Sequence, residues 1–430
     1  MKTGSLTRLG RALCLTVAFG LASIAFAQKV FVDINAPPGG DGSNQAPFNS
    51  IETAVAYANG LSETPTIEVA AGRYPVSATL VIQKGMILRG SNRMLTDSDG
   101  FPTGADPQTE SRIVGTAALG ANRLVSIGAN NGQTISPIDI RQLTFEAGPG
   151  MGDIMHLTGV QDFTIRSSVF VGSTTLPQPT RGIGVLTNAS SGELGGNFVR
   201  GLTAGVIVRG GSAASPANVT FHDNRSVGHG NGGVFLSGTS DGTLYSGNQL
   251  NATVRNNDLS GSAFSAQGFG LRITVKSQDD PIHDIDNGHV TADVRDNRIV
   301  GNFTGIALDA GFTFRLIPPD DNVCDPRSFT GTLDLTFRDN AVSGSTGFPT
   351  VISFTRLQTT LGIPTAPLSR CQYLHGATYS IDDRGGVFAG AKFDHPATDP
   401  FIGPCAADLT NEPLNNVLTI NGIPQSTTSH

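Results

Sequence analysis

Carboxylates and histidines crowd one stretch of this chain: Gln278-Asp279-Asp280-Pro281-Ile282-His283-Asp284-Ile285-Asp286-Asn287-Gly288-His289. Asp279, Asp284 and Asp286 are oxygen donors of the kind a hard cation such as calcium takes. Asp280, His283 and Asp284 are the residue types of general acid–base chemistry, and Arg272 lies a few residues upstream. The competing reading is a solvated acidic loop whose aspartates form turns. A second constellation is basic. Arg141, Arg166, His222, Arg255, Arg295 and Arg338 recur at one position of a repeated pattern. Such a stripe would grip the carboxylates or sulfates of an acidic polymer, because the guanidinium fork binds these groups in pairs of hydrogen bonds. Against this, Asp223, Asp296 and Asp339 adjoin their basic neighbours and would neutralise them, and long arginine stems also cover β-surface. Phe235 adds an aromatic face to the candidate binding residues His222, Arg255, Arg295 and Arg338.

The elements that must position these groups form a repeat. Phe221-His222-Asp223-Asn224, Val254-Arg255-Asn256-Asn257, Val294-Arg295-Asp296-Asn297 and Phe337-Arg338-Asp339-Asn340 are each followed by an apolar residue, a Gly, and later a second Gly leading into a short apolar alternation. Fixed self-similarity of this kind means stacked units. One position is held by Asn197, Asn224, Asn257, Asn297 and Asn340, with Leu143 and Ser168 before them, at intervals of 25 to 43 residues. Asn tolerates a left-handed bend, and stacked Asn side chains can hydrogen-bond from unit to unit. The propeller signatures are absent, and short period-2 strands punctuated by Gly predict three-strand coils. The expected fold is therefore all-β, a parallel β-helix with an Asn ladder, of roughly ten coils and about 50 Å long.

Side-chain parity assigns faces. Leu250, Ala252 and Val254 point inward, and Thr253 and Arg255 outward. The basic stripe thereby forms one exposed column, with Asp139, Thr164, Thr220, Thr253, Asp293 and Thr336 beside it. The strand after the second Gly presents Ile207, Phe235, Arg272 and Ala307, then Arg209, Ser237, Thr274 and Asp309. Loops over 209–217, 237–250, 276–289 and 310–331 leave the same bend and should build a wall beside the shaft.

The ends differ from the body. Lys2, Arg8 and Arg11 precede an apolar run and Ala25-Phe26-Ala27, the pattern of a cleavable signal peptide over 1–27 with the cut after Ala27. The expectation is a secreted or periplasmic protein. The run is too short to span a membrane, and no other stretch is longer. The formal net charge is −7, and these 27 residues hold three positive and no negative charges, leaving −10 for the remainder. That acidity excludes nucleic acid as the main partner. Residues 28–65 read as an N-terminal cap, with a helix capped by Asn49, Glu52 in the return position, and Ile51, Ala54, Val55 and Ala58 on one apolar face. Residues 66–360 are the β-helix and 361–430 an irregular C-terminal cap. Of Cys324, Cys371 and Cys405, a disulfide between Cys371 and Cys405 is expected, and no C-x-x-C suggests zinc.

Val32-Asp33, Gly40-Asp41-Gly42-Ser43, Pro47-Phe48, Ile51, Ala54 and Ile67-x-Val69-x-x-Gly72-x-Tyr74 resemble the opening of secreted bacterial β-helix proteins of the pectin-lyase-like superfamily, and the resemblance extends over residues 28–360. It implies a right-handed parallel β-helix. It implies no single activity, because that superfamily holds lyases, glycoside hydrolases and epimerases. Gly228-His229-Gly230 and Arg272-Ile273-Thr274 resemble polygalacturonase marks, but the Asn-x-Asp and Asp-Asp marks are missing before His229. Asp280-Pro281-Ile282-His283-Asp284 is similar to an epimerase mark with one residue added. Arg272 beside Asp279 and Asp280 resembles the arginine base and calcium carboxylates of pectate lyases. The reading is a protein that recognises an extracellular polysaccharide, acidic by expectation. Cleavage is left open, a lyase ranking ahead of a hydrolase. The alternative is a non-catalytic adhesin or matrix protein.

Overall fold

The computed structural model describes residues 28–128, 134–172, 180–238, 249–262, 268–275, 288–310, 331–353, 377–394 and 417–425. Residues 1–27, expected to be a signal peptide, together with Asp279, Asp280, His283, Asp284 and Asp286 and with Cys324, Cys371 and Cys405, lie outside them.

Period-2 strands stack into three long sheets of thirteen, nine and ten strands, here A, B and C. The chain visits A, B and C in turn. Each strand pairs in parallel with its counterpart one coil away, as Ala217–His222 does with Gln249–Arg255, and that strand with His289–Arg295. Among the described residues nine coils are complete in all three sheets. Repeated parallel crossovers of L-residues close right-handed, so the architecture is the right-handed parallel β-helix expected above. The interior is apolar along the whole axis: Phe221, Val254, Val294 and Phe337 fill one inward column and are buried, and Phe145 stacks on Phe170 with ring centroids 5.4 Å apart. Among the described residues no helix is long and apolar enough to cross a membrane.

The Asn ladder forms the corner between sheets A and B. Each carboxamide donates to the next: Asn197 to Asn224 at 3.0 Å, Asn224 to Asn257 at 3.1 Å, Asn257 to Asn297 and Asn297 to Asn340 at 2.9 Å. Its physical cause differs from the expected one. The left-handed residue is not the ladder Asn but the one before it: Asp223, Asn256, Asp296 and Asp339 have φ between 52° and 57°, and Gly196 has 63°. The bend belongs to the preceding residue, and the Asn is selected for the hydrogen bonds that fill the buried corner.

At the open end, helix α1 (Ile51–Asn59) buries Ile51, Ala54, Val55 and Ala58 over the first coils. Its N-cap is Ser50, one residue later than expected, and the Ser50 hydroxyl accepts from Thr53 N–H. Glu52 does not close a capping box. Its carboxylate accepts from Ser77 N–H at 2.8 Å and Ala78 N–H at 3.1 Å, pinning the helix to the first coil. At the other end, Ala377–Asp383 and Val417–Ile420 extend sheet A, and Lys392–Asp394 extends sheet C, past residue 360. An antiparallel strand, Ile423–Pro424, ends the stack.

Candidate functional site

Sheet C carries the candidate site on its outer face. Strands Gly232–Ser237, Phe269–Val275 and Thr304–Ala310 are neighbours, and their register aligns Phe235 with Arg272 and Ala307, and Ser237 with Thr274 and Asp309. These are the outward columns that parity assigned. The Arg272 guanidinium lies 5.1 Å from the ring centroids of both Phe235 and Phe269. Its Nε donates to Asp309 Oδ2 at 2.7 Å, and Nη2 reaches the same oxygen. The two side chains are only 15% and 7% exposed, although both face outward. The Thr274 hydroxyl is buried without a hydrogen-bond partner. A guanidinium in contact with two rings and anchored to a carboxylate is a preorganised donor group. Phe235 and Phe269 remain partly exposed and present ring surface to a ligand. Phe235 beside Arg272 was legible from parity; that Phe269 and Asp309 complete the setting was not.

The basic column is real and lies on sheet A. Register aligns Arg89, Arg141, Arg166, Gly195, His222, Arg255, Arg295 and Arg338. Most of its charge is met within the column beside it. Arg141 binds Asp139, which raises the arginine's pKa. Arg295 lies 3.2 Å and Arg338 3.0 Å from Asp293. His222 joins Glu193 at 2.7 Å and Asp223 at 2.5 Å, and Arg166 also binds Glu193. Burial works against ionisation of Glu193 and Asp223, but hydrogen bonds from His222, with Arg166 at Glu193 and Asn256 at Asp223, hold both carboxyls below their ordinary range. Among the described residues Arg255 alone of the candidate binding cations has no carboxylate within 4.0 Å. Glu193 went unnoticed in the sequence. It sits four residues before its ladder Asn, as Thr220, Thr253, Asp293 and Thr336 do, so a fixed count back from each Asn finds it.

His229 is not a surface acid or base. It is buried in the stack, with Nε2 3.0 Å from Asn302 Oδ1. Burial lowers its pKa from 6.5 to about 4. The Gly228-His229-Gly230 likeness therefore marks a structural neutral imidazole. Among the described residues no three His, Cys, Asp or Glu side chains are grouped to hold a metal ion.

No protein-family model and no curated protein matches the chain. Solved structures similar to it include the catalytic domain of a GH87 α-1,3-glucanase in complex with nigerose, at 14% identity and a TM-score of 0.35, covering 83% of this chain and 64% of that one. A family 28 exopolygalacturonase of Yersinia enterocolitica is 12% identical with a TM-score of 0.35, over 88% of this chain and 77% of its own. The mannuronan C-5 epimerase A-module of Azotobacter vinelandii is 13% identical with a TM-score of 0.28, over 85% and 94%. The fold assignment rests on strand register, not on these values. The protein is a three-sheet parallel β-helix, the architecture implied by the resemblance to the pectin-lyase-like superfamily, with an aromatic-flanked arginine on one sheet face.

Proposed function

We propose that the protein recognises an extracellular polysaccharide on the outer face of sheet C, acting outside the cytoplasm after removal of residues 1–27. The observation that carries this reading is Arg272, in contact with the rings of Phe235 and Phe269 and anchored to Asp309. Rings offer stacking surface to sugar faces, and the fixed guanidinium orients polar groups. Neighbouring strands repeat every ~4.8 Å, a spacing suited to a repeating polymer. Support for an acidic ligand comes from Arg255, which among the described residues has no carboxylate within 4.0 Å and whose charge Asp223 meets only at longer range. Cleavage would draw on Asp280, His283 and Asp284 together with Arg272, with calcium at Asp279, Asp284 and Asp286, the lyase reading ranking first.

The test is incubation with acidic and neutral polysaccharides, with calcium and with chelator, followed by mass analysis of chain ends and by affinity retention. Phe235→Ala is expected to weaken retention about tenfold while leaving the melting temperature nearly unchanged, since the ring is partly exposed. Unaltered retention would remove sheet C from the reading. Arg255→Ala is expected to reduce the salt sensitivity of polyanion retention more than Arg295→Ala does, because Asp293 already compensates Arg295. Equal effects would remove the distinction between paired and unpaired rungs. The second reading, a non-catalytic adhesin or matrix protein, is favoured by the pairing of the remaining column charges. It predicts no new chain ends and no retention across the whole panel.

A further inference from the structure

In a solenoid each coil touches only its neighbours. One segment breaks that rule. After Met86–Arg89 the chain leaves the stack as a hairpin, Met94–Thr96 paired antiparallel with Pro102–Ala105. Its base is pinned to the corner: Asn92 donates to the Thr144 hydroxyl at 2.9 Å and accepts from Ser111 N–H at 2.7 Å. Its body lies on the outer face of sheet B. There Met94 and Ala105 pack against Val169, Val171 and Phe198, which would otherwise face water. Its tip carries two aspartates. Asp97 accepts from Arg225 at 2.8 Å and Asp99 from Arg298 at 3.2 Å, partners 128 and 199 residues away in sequence. Between those arginines sits Asp258, 0% exposed, 3.1 Å from Arg225 Nε and 4.0 Å from Arg298 Nε. Asp97, Arg225, Asp258, Arg298 and Asp99 thus alternate in sign across three consecutive coils.

We propose that this hairpin is an electrostatically latched strap that ties an early coil to three distant ones and holds those three in register. Two features argue for it. Asp258 is a buried carboxylate whose two arginines are each shared with the hairpin tip, so loosening the tip disturbs a buried charge rather than a surface pair. And the coils the latch joins on sheet B are those that carry Phe235, Arg272 and Asp309 on sheet C: Arg225–Val227 leads to Gly232–Ser237, Asp258–Ser260 to Phe269–Val275, and Arg298–Val300 to Thr304–Ala310. The strap sets the mutual spacing of the candidate site from the sheet that precedes it in each coil. It holds whether or not the site binds a glycan.

The test is amide hydrogen exchange on the full chain, with no ligand present, comparing wild type with Asp97→Asn/Asp99→Asn and with Asp97→Glu/Asp99→Glu. Expected in the Asn variant is about tenfold faster exchange in the three latched strands of sheet B and in their continuations on sheet C, with Thr144–Glu146 and Ile138–Arg141 unchanged. The Glu variant should recover much of the protection. Faster exchange confined to the hairpin itself, or none anywhere, would overturn the strap. Should the Asn variant exchange quickly throughout, wild type in molar salt decides. The exposed Asp99–Arg298 pair is then screened without a substitution. Faster exchange limited to the same coils supports the latch, and an unchanged pattern overturns it.

Discussion

Asn257→Ala is expected to cost on the order of 3–5 kcal/mol of stability, a large share of what a folded chain has in reserve. The side chain sits fully buried at the middle of the ladder. Its amide donates to Asn297 Oδ1 at 2.9 Å, to the Phe221 carbonyl at 3.0 Å and to the Arg255 carbonyl at 2.9 Å. Its carbonyl oxygen accepts from the Asn224 main-chain N–H at 3.0 Å and from the Asn224 amide at 3.1 Å. Truncation leaves the Asn224 N–H and the Phe221 carbonyl in a corner that water does not reach. A buried group without a partner costs about 1–3 kcal/mol, more than a typical bond contributes. The measurement is the urea midpoint at constant slope. A loss below about 1 kcal/mol would mean that the corner relaxes or admits water. The neighbouring residue gives the contrast. Asn256 has φ 52° and carries the bend, so Asn256→Gly should cost little beyond the exposed hydrogen bond to Asp223, as Gly196 already occupies the equivalent place. The two substitutions, one residue apart, separate the bend from the ladder.

Acidification is the second large effect. His229 is buried and its pKa is lowered to about 4, against 6.5 when free. Above pH 6.5 neither the folded nor the unfolded chain binds a proton there. As the pH falls from 6.5 towards 4, the unfolded chain takes up the proton and the fold does not, so stability declines through that window and levels off below it. The full loss is on the order of 3 kcal/mol. Unfolding free energy measured from pH 7.5 to 4 should fall in wild type and fall less in His229→Gln, which keeps a donor for Asn302. Parallel curves would show that the imidazole is not the group responsible. Glu193 and Asp223 act in a different range. Their carboxyls are depressed, so their contribution is present above the unfolded values of 4.5 and 3.8 and is lost only as the pH drops below those.

The columns on sheets A and C were legible because a strand has one periodicity, and the ladder Asn provides a fixed origin for counting. Two residues back from Asn224, Asn257, Asn297 and Asn340 stand His222, Arg255, Arg295 and Arg338, and the structure places them side by side. Backbone conformation was less legible. Asp223 and Asn224 both suit a bend by type, and only the dihedral angles show which one makes it. The N-cap moved from Asn49 to Ser50 for a similar reason, both being good capping residues. Side-chain pairing lay further out of reach. Whether Arg295 grips a ligand or Asp293 depends on rotamers that the sequence does not contain. The docking of the hairpin over sheet B left no local signal, because Asp97 and Asp99 meet their partners more than a hundred residues away.

The ladder also frees the protein from a fixed chain length. From one Asn to the next the polypeptide travels 27, 33, 40 and 43 residues, yet the amides meet at 2.9 to 3.1 Å each time. Most of the surplus is shed on one edge, after sheet C and before sheet A, as between Ser237 and Gln249 or between Ala310 and Gly331, with a smaller share in the turn from Ser260 to Phe269. Added sequence there is charged mainly for loop closure, about 0.6 kcal/mol for each doubling of length. The molecule is in this sense a rack with open slots. A foreign epitope or a whole small domain spliced into that edge should leave the shaft intact, and several at once would be displayed in a row at the spacing of the coils.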